Sequence, residues 1–278
     1  MIQPAPRPHT LMPAGTPAPP SAAPWTPLPY ADVPRFDAAS LLAHWPRLHA
    51  GHTLAPPDSD ALAQAWVLYH NGDFEGAATL GLRLGGEGLA IANQATAVYA
   101  NYLEPRETIR LALFRQVADR AASQAAAEPD NCQALYWQAY ALGRYGQAIS
   151  VARALAQGLG SRIKEALERV IALQPQHADA HIALAAFHAE VIDKVGALVG
   201  RMTYGVRAET AIELFERGLA LNPHSPIGLM EYAHALVMLR GDARLAEATR
   251  LYEKAAAIEP ADARERLDVA LARAGLRD

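Results

Sequence analysis

The chain has 278 residues, 51% of them apolar, with 25 Lys and Arg against 29 Asp and Glu and a formal net charge of −4. That length can bury a sizeable core, and basic residues scattered through an acidic chain exclude a bulk electrostatic case for nucleic acid. A single cysteine, Cys132, excludes an internal disulfide or a thiolate metal cage; with no run of about 18 apolar residues and no apolar secretory leader, the expectation is a cytoplasmic protein without a membrane span.

Residues 1–35 differ from the rest. Ten of the twenty prolines lie before residue 31. Proline removes backbone donors and fixes φ, so this stretch reads as a disordered, proline-rich arm. Residues 36–58 read as a linker or N-terminal segment, in which Leu42 and Trp45 are able to pack into a groove of the domain that follows. From residue 59 to 276 the pattern is helical: alanine is abundant and no strand-like alternation persists.

Within that domain Pro129, Pro175, Pro223 and Pro260 each close an amphipathic segment, at spacings near those of helical repeats. The segments before them share one face: Ile163, Leu167, Val170 and Leu173; then Ala211, Phe215, Gly218 and Leu221; then Ala248, Tyr252, Ala255 and Ile258. Residues 62–84 read as an earlier copy, with Asn71-Gly72-Asp73-Phe74 as the turn between paired helices. Residues 88–129 form a more divergent unit whose second helix is expected to start at Pro105. Ser225-Pro226 suits a helix start, and 261–276 a terminal helix covering the open end.

These segments resemble the tetratricopeptide repeat. The resemblance covers 59–276 and implies an all-α, α-α superhelical solenoid of about five helix pairs plus a terminal helix. Within 132–223, long connections between paired helices, Arg162-Ile163-Lys164, Ala180-His181 and the insert 190–208 are similar to the regulator of microtubule dynamics family. That likeness implies a helical domain able to bind phospholipid; some members of the family sit at contacts between endoplasmic reticulum and mitochondria. The sequence departs from those members in showing no N-terminal membrane anchor, which puts a tethering role in doubt.

In such a superhelix the first helix of each pair lines the concave face. Helical spacing points Trp66 and Tyr69, Tyr136 and Tyr140, Ile182, and Leu229, Tyr232 and Leu236 inward, as ligand-groove candidates or as ordinary interhelical packing. The face lacks the Lys, Arg and Asn that a carboxylate clamp needs. The partner expected is therefore a protein or peptide with an apolar segment, with a lipid as the alternative.

Catalysis and cofactors are not expected. His181 and His188 stand two helical turns apart, about 10.5 Å along the axis, too far to share a metal with His177, Glu190 or Asp193. Ser161-x-x-Lys164 lacks the companion motifs of the serine hydrolases it matches, and Ser161 reads as a helix cap. Gly85-Gly86 and Gly158-Leu159-Gly160 read as turns. The insert 190–208 lengthens its helices and ends in a Tyr-Gly turn, although in isolation it suits a membrane-touching amphipathic segment.

Overall fold

The computed structural model describes residues 24–277. Within them the chain forms fourteen α-helices and no strand. An N-terminal helix, α1 (Ala38–Leu48), precedes five antiparallel pairs. The first is α2 (Asp60–His70) with α3 (Phe74–Leu84), and the second is α4 (Gly88–Tyr102) with α5 (Glu107–Ala127). The third pairs α6 (Cys132–Gln147) with α8 (Leu159–Leu173), the short α7 (Val151–Ala156) lying in their connection. The fourth pairs α9 (Ala178–Val195) with α11 (Ala208–Leu221), with α10 (Ala197–Tyr204) between them. The fifth is α12 (Pro226–Arg240) with α13 (Leu245–Ala256), joined by a 3₁₀ turn, and α14 (Ala263–Gly275) ends the array. Five pairs and a terminal helix are the architecture expected from the repeat pattern.

Local chemistry explains most boundaries. The α2–α3 turn runs as Asn71, Gly72 and Asp73, the last accepting a hydrogen bond from Gly76 N as the cap of α3. Gly72 has φ +87, and a side chain there would also strike Leu28 and Ala263. Ser225 caps α12 ahead of Pro226. The shared face of the second helices is buried as expected: Leu167, Val170, Ala211, Phe215 and Ala255 are all at or near zero exposure. At Gly218 an added Cβ would fall 2.7 Å from Ile182, so glycine sets how closely α9 and α11 approach.

Three expectations are corrected. The helix after Pro105 begins two residues later. Glu104 accepts from both Arg106 N and Nε, at 2.9 and 2.8 Å, and so holds Arg106 extended as the cap position. Ser161 is not a cap: α8 starts at Leu159, which is buried, directly after Gly158 at φ +62. Residues 24–35, expected to belong to the disordered arm, run instead as an extended segment over α2, α3 and α4. Trp25 stacks on Tyr99 at 4.1 Å, Tyr30 lies under Arg266, and Val33 is buried. These apolar side chains between the prolines supply burial that proline content alone does not reveal. The rest of the expected arm, residues 1–23, lies outside the described residues.

Candidate concave binding site

The inner surface of the superhelix divides into a covered part and an open part. The covered part lies over α2, α4 and the start of α6. Trp45 of α1 is buried there, stacked on His49 at 3.8 Å, edge-on to Trp66, and donating from Nε1 to Leu54 O at 2.7 Å. Leu42, its expected companion, is exposed. Beyond α1 the chain passes deep into the interior. Gly51 O accepts from Asp179 N at 3.0 Å, and His52 packs against Tyr136, Trp137 and His177. A Cβ on Gly51 would lie 2.5 Å from the Asp179 carboxylate.

α14 completes this cover. Arg47 forms a two-point pair with Glu265, at 2.6 and 2.8 Å. His70 Nδ1 donates to Asp262 Oδ2 at 2.7 Å, and Tyr102 hydrogen-bonds Asp268. Arg264 projects between Asp179, at 3.5 Å, and Asp268, at 3.9 Å. A polar space of about 20 Å³ remains among these groups, enough for about one water by volume and nothing larger.

The electrostatics follow from that burial. Desolvation lowers the pKa of His49 and His52 well below the ordinary histidine value, with His70 and His177 respectively adding to it. Desolvation also brings His177 down to about 4, although Asp179 opposes the change. Burial pushes the Asp268 carboxyl up to about 6, against the pull of Arg264 and Tyr102. The interior histidines His49, His52 and His177 are therefore neutral packing elements at pH 7.

The open part is a cavity of about 180 Å³ between α6 and α9, floored by α8. Tyr136, Tyr140 and Ala139 form one wall; Ile182, Ala183, Ala186 and Phe187 form the other; Ile163 and Leu167 lie at the bottom. Polar groups stand only at its edges. Asp179 and Arg264 close one end, and Arg144 pairs with Glu231 at 2.9 Å while lying over the Tyr140 ring. At the opposite end Glu190 accepts from Gln147, and burial raises its pKa. The mouth is framed by α7, through Val151 and Leu155, and by Tyr204 of α10. A second space, about 320 Å³ and more polar in lining, lies beneath residues 25–35.

The eight groove candidates thus separate. Tyr136, Tyr140 and Ile182 meet at the open cavity. Trp66 and Tyr69 are buried beneath α1 and the following segment, with Tyr69 accepting from Gln94 at 2.7 Å. Tyr232 and Leu236 pack with Phe215, and Leu229 packs with Met230 and Ala255. Sequence reasoning missed Phe187, Arg144 and Glu231. Phe187 falls five positions beyond Ile182 on α9, off the three- and four-residue helical spacing, and the Arg144–Glu231 pair joins helices whose contact the repeat pattern does not spell out. His181 and His188 are buried helix-contact residues, bonded to His177 O and facing Arg207. Among the described residues no group of three or more His, Cys, Asp or Glu is placed to hold a metal, and no helix is long and apolar enough to cross a membrane.

The fold is similar to that of a solved thermophilic tetratricopeptide protein, TTC0263 of Thermus thermophilus. The TM-score is 0.54 at 20% identity, over 77% of this chain and 98% of that one. MamA matches with a TM-score of 0.40 at 16% identity, over 70% of this chain and 87% of that one. A monomeric mutant of IFIT1 with Gppp-AAAA matches with 0.41 at 13%, over 80% of this chain and 55% of that one. No family model matches the chain, and no curated protein matches it. The likeness to TTC0263 establishes a tetratricopeptide-type solenoid and extends no further than the fold.

Proposed function

We propose that the protein is a non-catalytic binding module that holds an apolar segment of a protein partner, as an amphipathic helix or an extended peptide, between α6 and α9. One observation carries the reading: this cavity is a predominantly apolar stretch of concave surface open to solvent, whereas the surface over α2 and α4 is occupied by the chain itself. Repeat solenoids present their inner helices to partners, and side chains such as Tyr140 and Phe187 offer area at little entropic cost. The Arg144–Glu231 pair and Glu190 at the edges can fix the orientation of a bound backbone.

Panning a random peptide library on the full chain tests this. Apolar peptides binding with about micromolar affinity are expected, and Ala186→Trp, which fills the cavity, is expected to weaken them at least about tenfold with the circular dichroism unchanged. Peptides unaffected by that substitution, or none at all, remove the reading.

A single-chain lipid is the second reading, favoured by the apolar floor and by the apolar residues of α7 at the mouth. The narrower sequence likeness to the regulator of microtubule dynamics family points the same way. Organic extraction of the purified protein followed by mass spectrometry separates the two: a near-stoichiometric lipid supports the second reading, an empty extract the first.

A further inference from the structure

We infer that α7 and α10 together form a docking surface for an anionic phospholipid membrane. The two helices are insertions at equivalent places in consecutive repeats, and both line the cavity, α7 through Val151 and Leu155 and α10 through Tyr204. Tyr204 of α10 packs over Gly160 at the start of α8, where an added Cβ would lie 2.6 Å from its ring, and meets Phe187 edge-on. This fixes the inner side of α10. Its outer side shows Leu198 and Met202, four residues apart on one face, at 73% and 80% exposure, with Val199 at 53%. Leu155 of α7 adds a further exposed side chain, at 47%. Aliphatic residues this exposed on an eight-residue helix are not completing the core; grouped, they mark an interaction surface.

Charge decides the partner. Residues 131–164 and 194–208, which carry α7 and α10, contain seven of the chain's 25 Lys and Arg and none of its 29 Asp and Glu. Arg153, Arg162, Lys194 and Arg201 are exposed and make no ion pair among the described residues. The nearest acidic residues in sequence to α10, Glu190, Asp193 and Glu209, lie on the helices that flank it. An acidic chain whose two inserted helices are free of carboxylates and carry both cations and exposed apolar side chains meets the two requirements of an interfacial surface: apolar side chains to enter the acyl boundary and cations to meet lipid phosphates. This surface is separate from whatever the cavity holds.

The test is co-sedimentation of the full chain with vesicles of phosphatidylcholine alone or with one quarter phosphatidylglycerol. Binding is expected only to the anionic vesicles and to fall with added salt. The pair Leu198→Asp and Met202→Asp, and separately Arg153→Glu with Arg201→Glu, are each expected to reduce partitioning at least about tenfold with the melting temperature unchanged. Met202→Trp is expected to shift its fluorescence to the blue on anionic vesicles, a readout independent of the loss-of-function pairs. Ala186→Trp leaves vesicle binding intact, which separates this surface from the cavity. No binding to anionic vesicles, or binding that both pairs leave unchanged, overturns the inference. So does a solution dimer that the Asp pair dissolves while vesicles stay unbound, since the patch then belongs to a second copy of the chain.

Discussion

Trp66 and Tyr69 face inward from α2 as Tyr136 and Tyr140 do from α6, yet the two pairs meet different surroundings. Over α2 the inner face carries α1, residues 49–54 and α14, and both aromatics are at or near zero exposure. Along α6 the cover ends at His52, which lies against Tyr136; one turn further on, Tyr140 faces the cavity. The difference does not come from the helices themselves. It comes from where a distant segment stops, and it shows that a solenoid can give part of its concave surface to its own stability and keep the remainder for a ligand.

The boundary between the two parts is Arg264, held between two buried carboxylates. Arg264→Met leaves Asp179 and Asp268 without their cation and is expected to destabilise the fold by about 3–5 kcal/mol, read as a lower urea midpoint. A wild-type midpoint in that variant would mean that α14 does not secure the cover. A smaller break comes from the segment itself. Gly51→Ala drives a methyl group into the Asp179 carboxylate, at an expected cost of about 1–3 kcal/mol. Limited proteolysis should then cut first within residues 49–58 and leave α6–α9 intact.

Acid acts on the covered part through two opposed protonations. His177 titrates at about 4 when folded and, as a free side chain, at about 6.5. As pH falls below about 6.5 the unfolded chain takes up the proton first, so stability is lost between about pH 6.5 and 4. Asp268, held up near 6, acts in the opposite sense and gains stability over part of that range. His177→Asn keeps an acceptor for the cap on α9 but cannot titrate. Its stability difference between pH 7.5 and pH 5 is expected to be about 2 kcal/mol smaller than that of the wild type. Equal differences would show that His177 is not buried neutral. The smallest effect is expected on the outer surface: Asp130→Ala, removing an exposed partner of Arg169, leaves the melting temperature unchanged and so sharpens the contrast with the interior.

The repeat order was legible because it is local. Prolines after four of the five second helices, the Asn71–Phe74 turn and the small residues at Ala211 and Gly218 all act within one or two helices, and each found its expected place. The covered surface was less legible. That Trp45 packs into the interior follows from its size and its apolar neighbours, but nothing near it in sequence indicates that Gly51 reaches Asp179 or that Arg47 meets Glu265. Those contacts depend on how the superhelix curves, which is the sum of small rotations that no single repeat encodes. The same curvature decides which aromatics remain open, and this is why one periodicity gave eight groove candidates and the structure gathers three of them at the cavity.

An open solenoid lengthens under tension like a coiled spring, because each repeat grips only the next. This molecule carries a clasp. Arg47 and Glu265, 218 positions apart, and His70 and Asp262, 192 apart, fasten α1 and the first repeat to the last helix. Pulled from its two ends, the chain would load those side chains before any repeat opened. It would stay short until the clasp parted, and only then stretch.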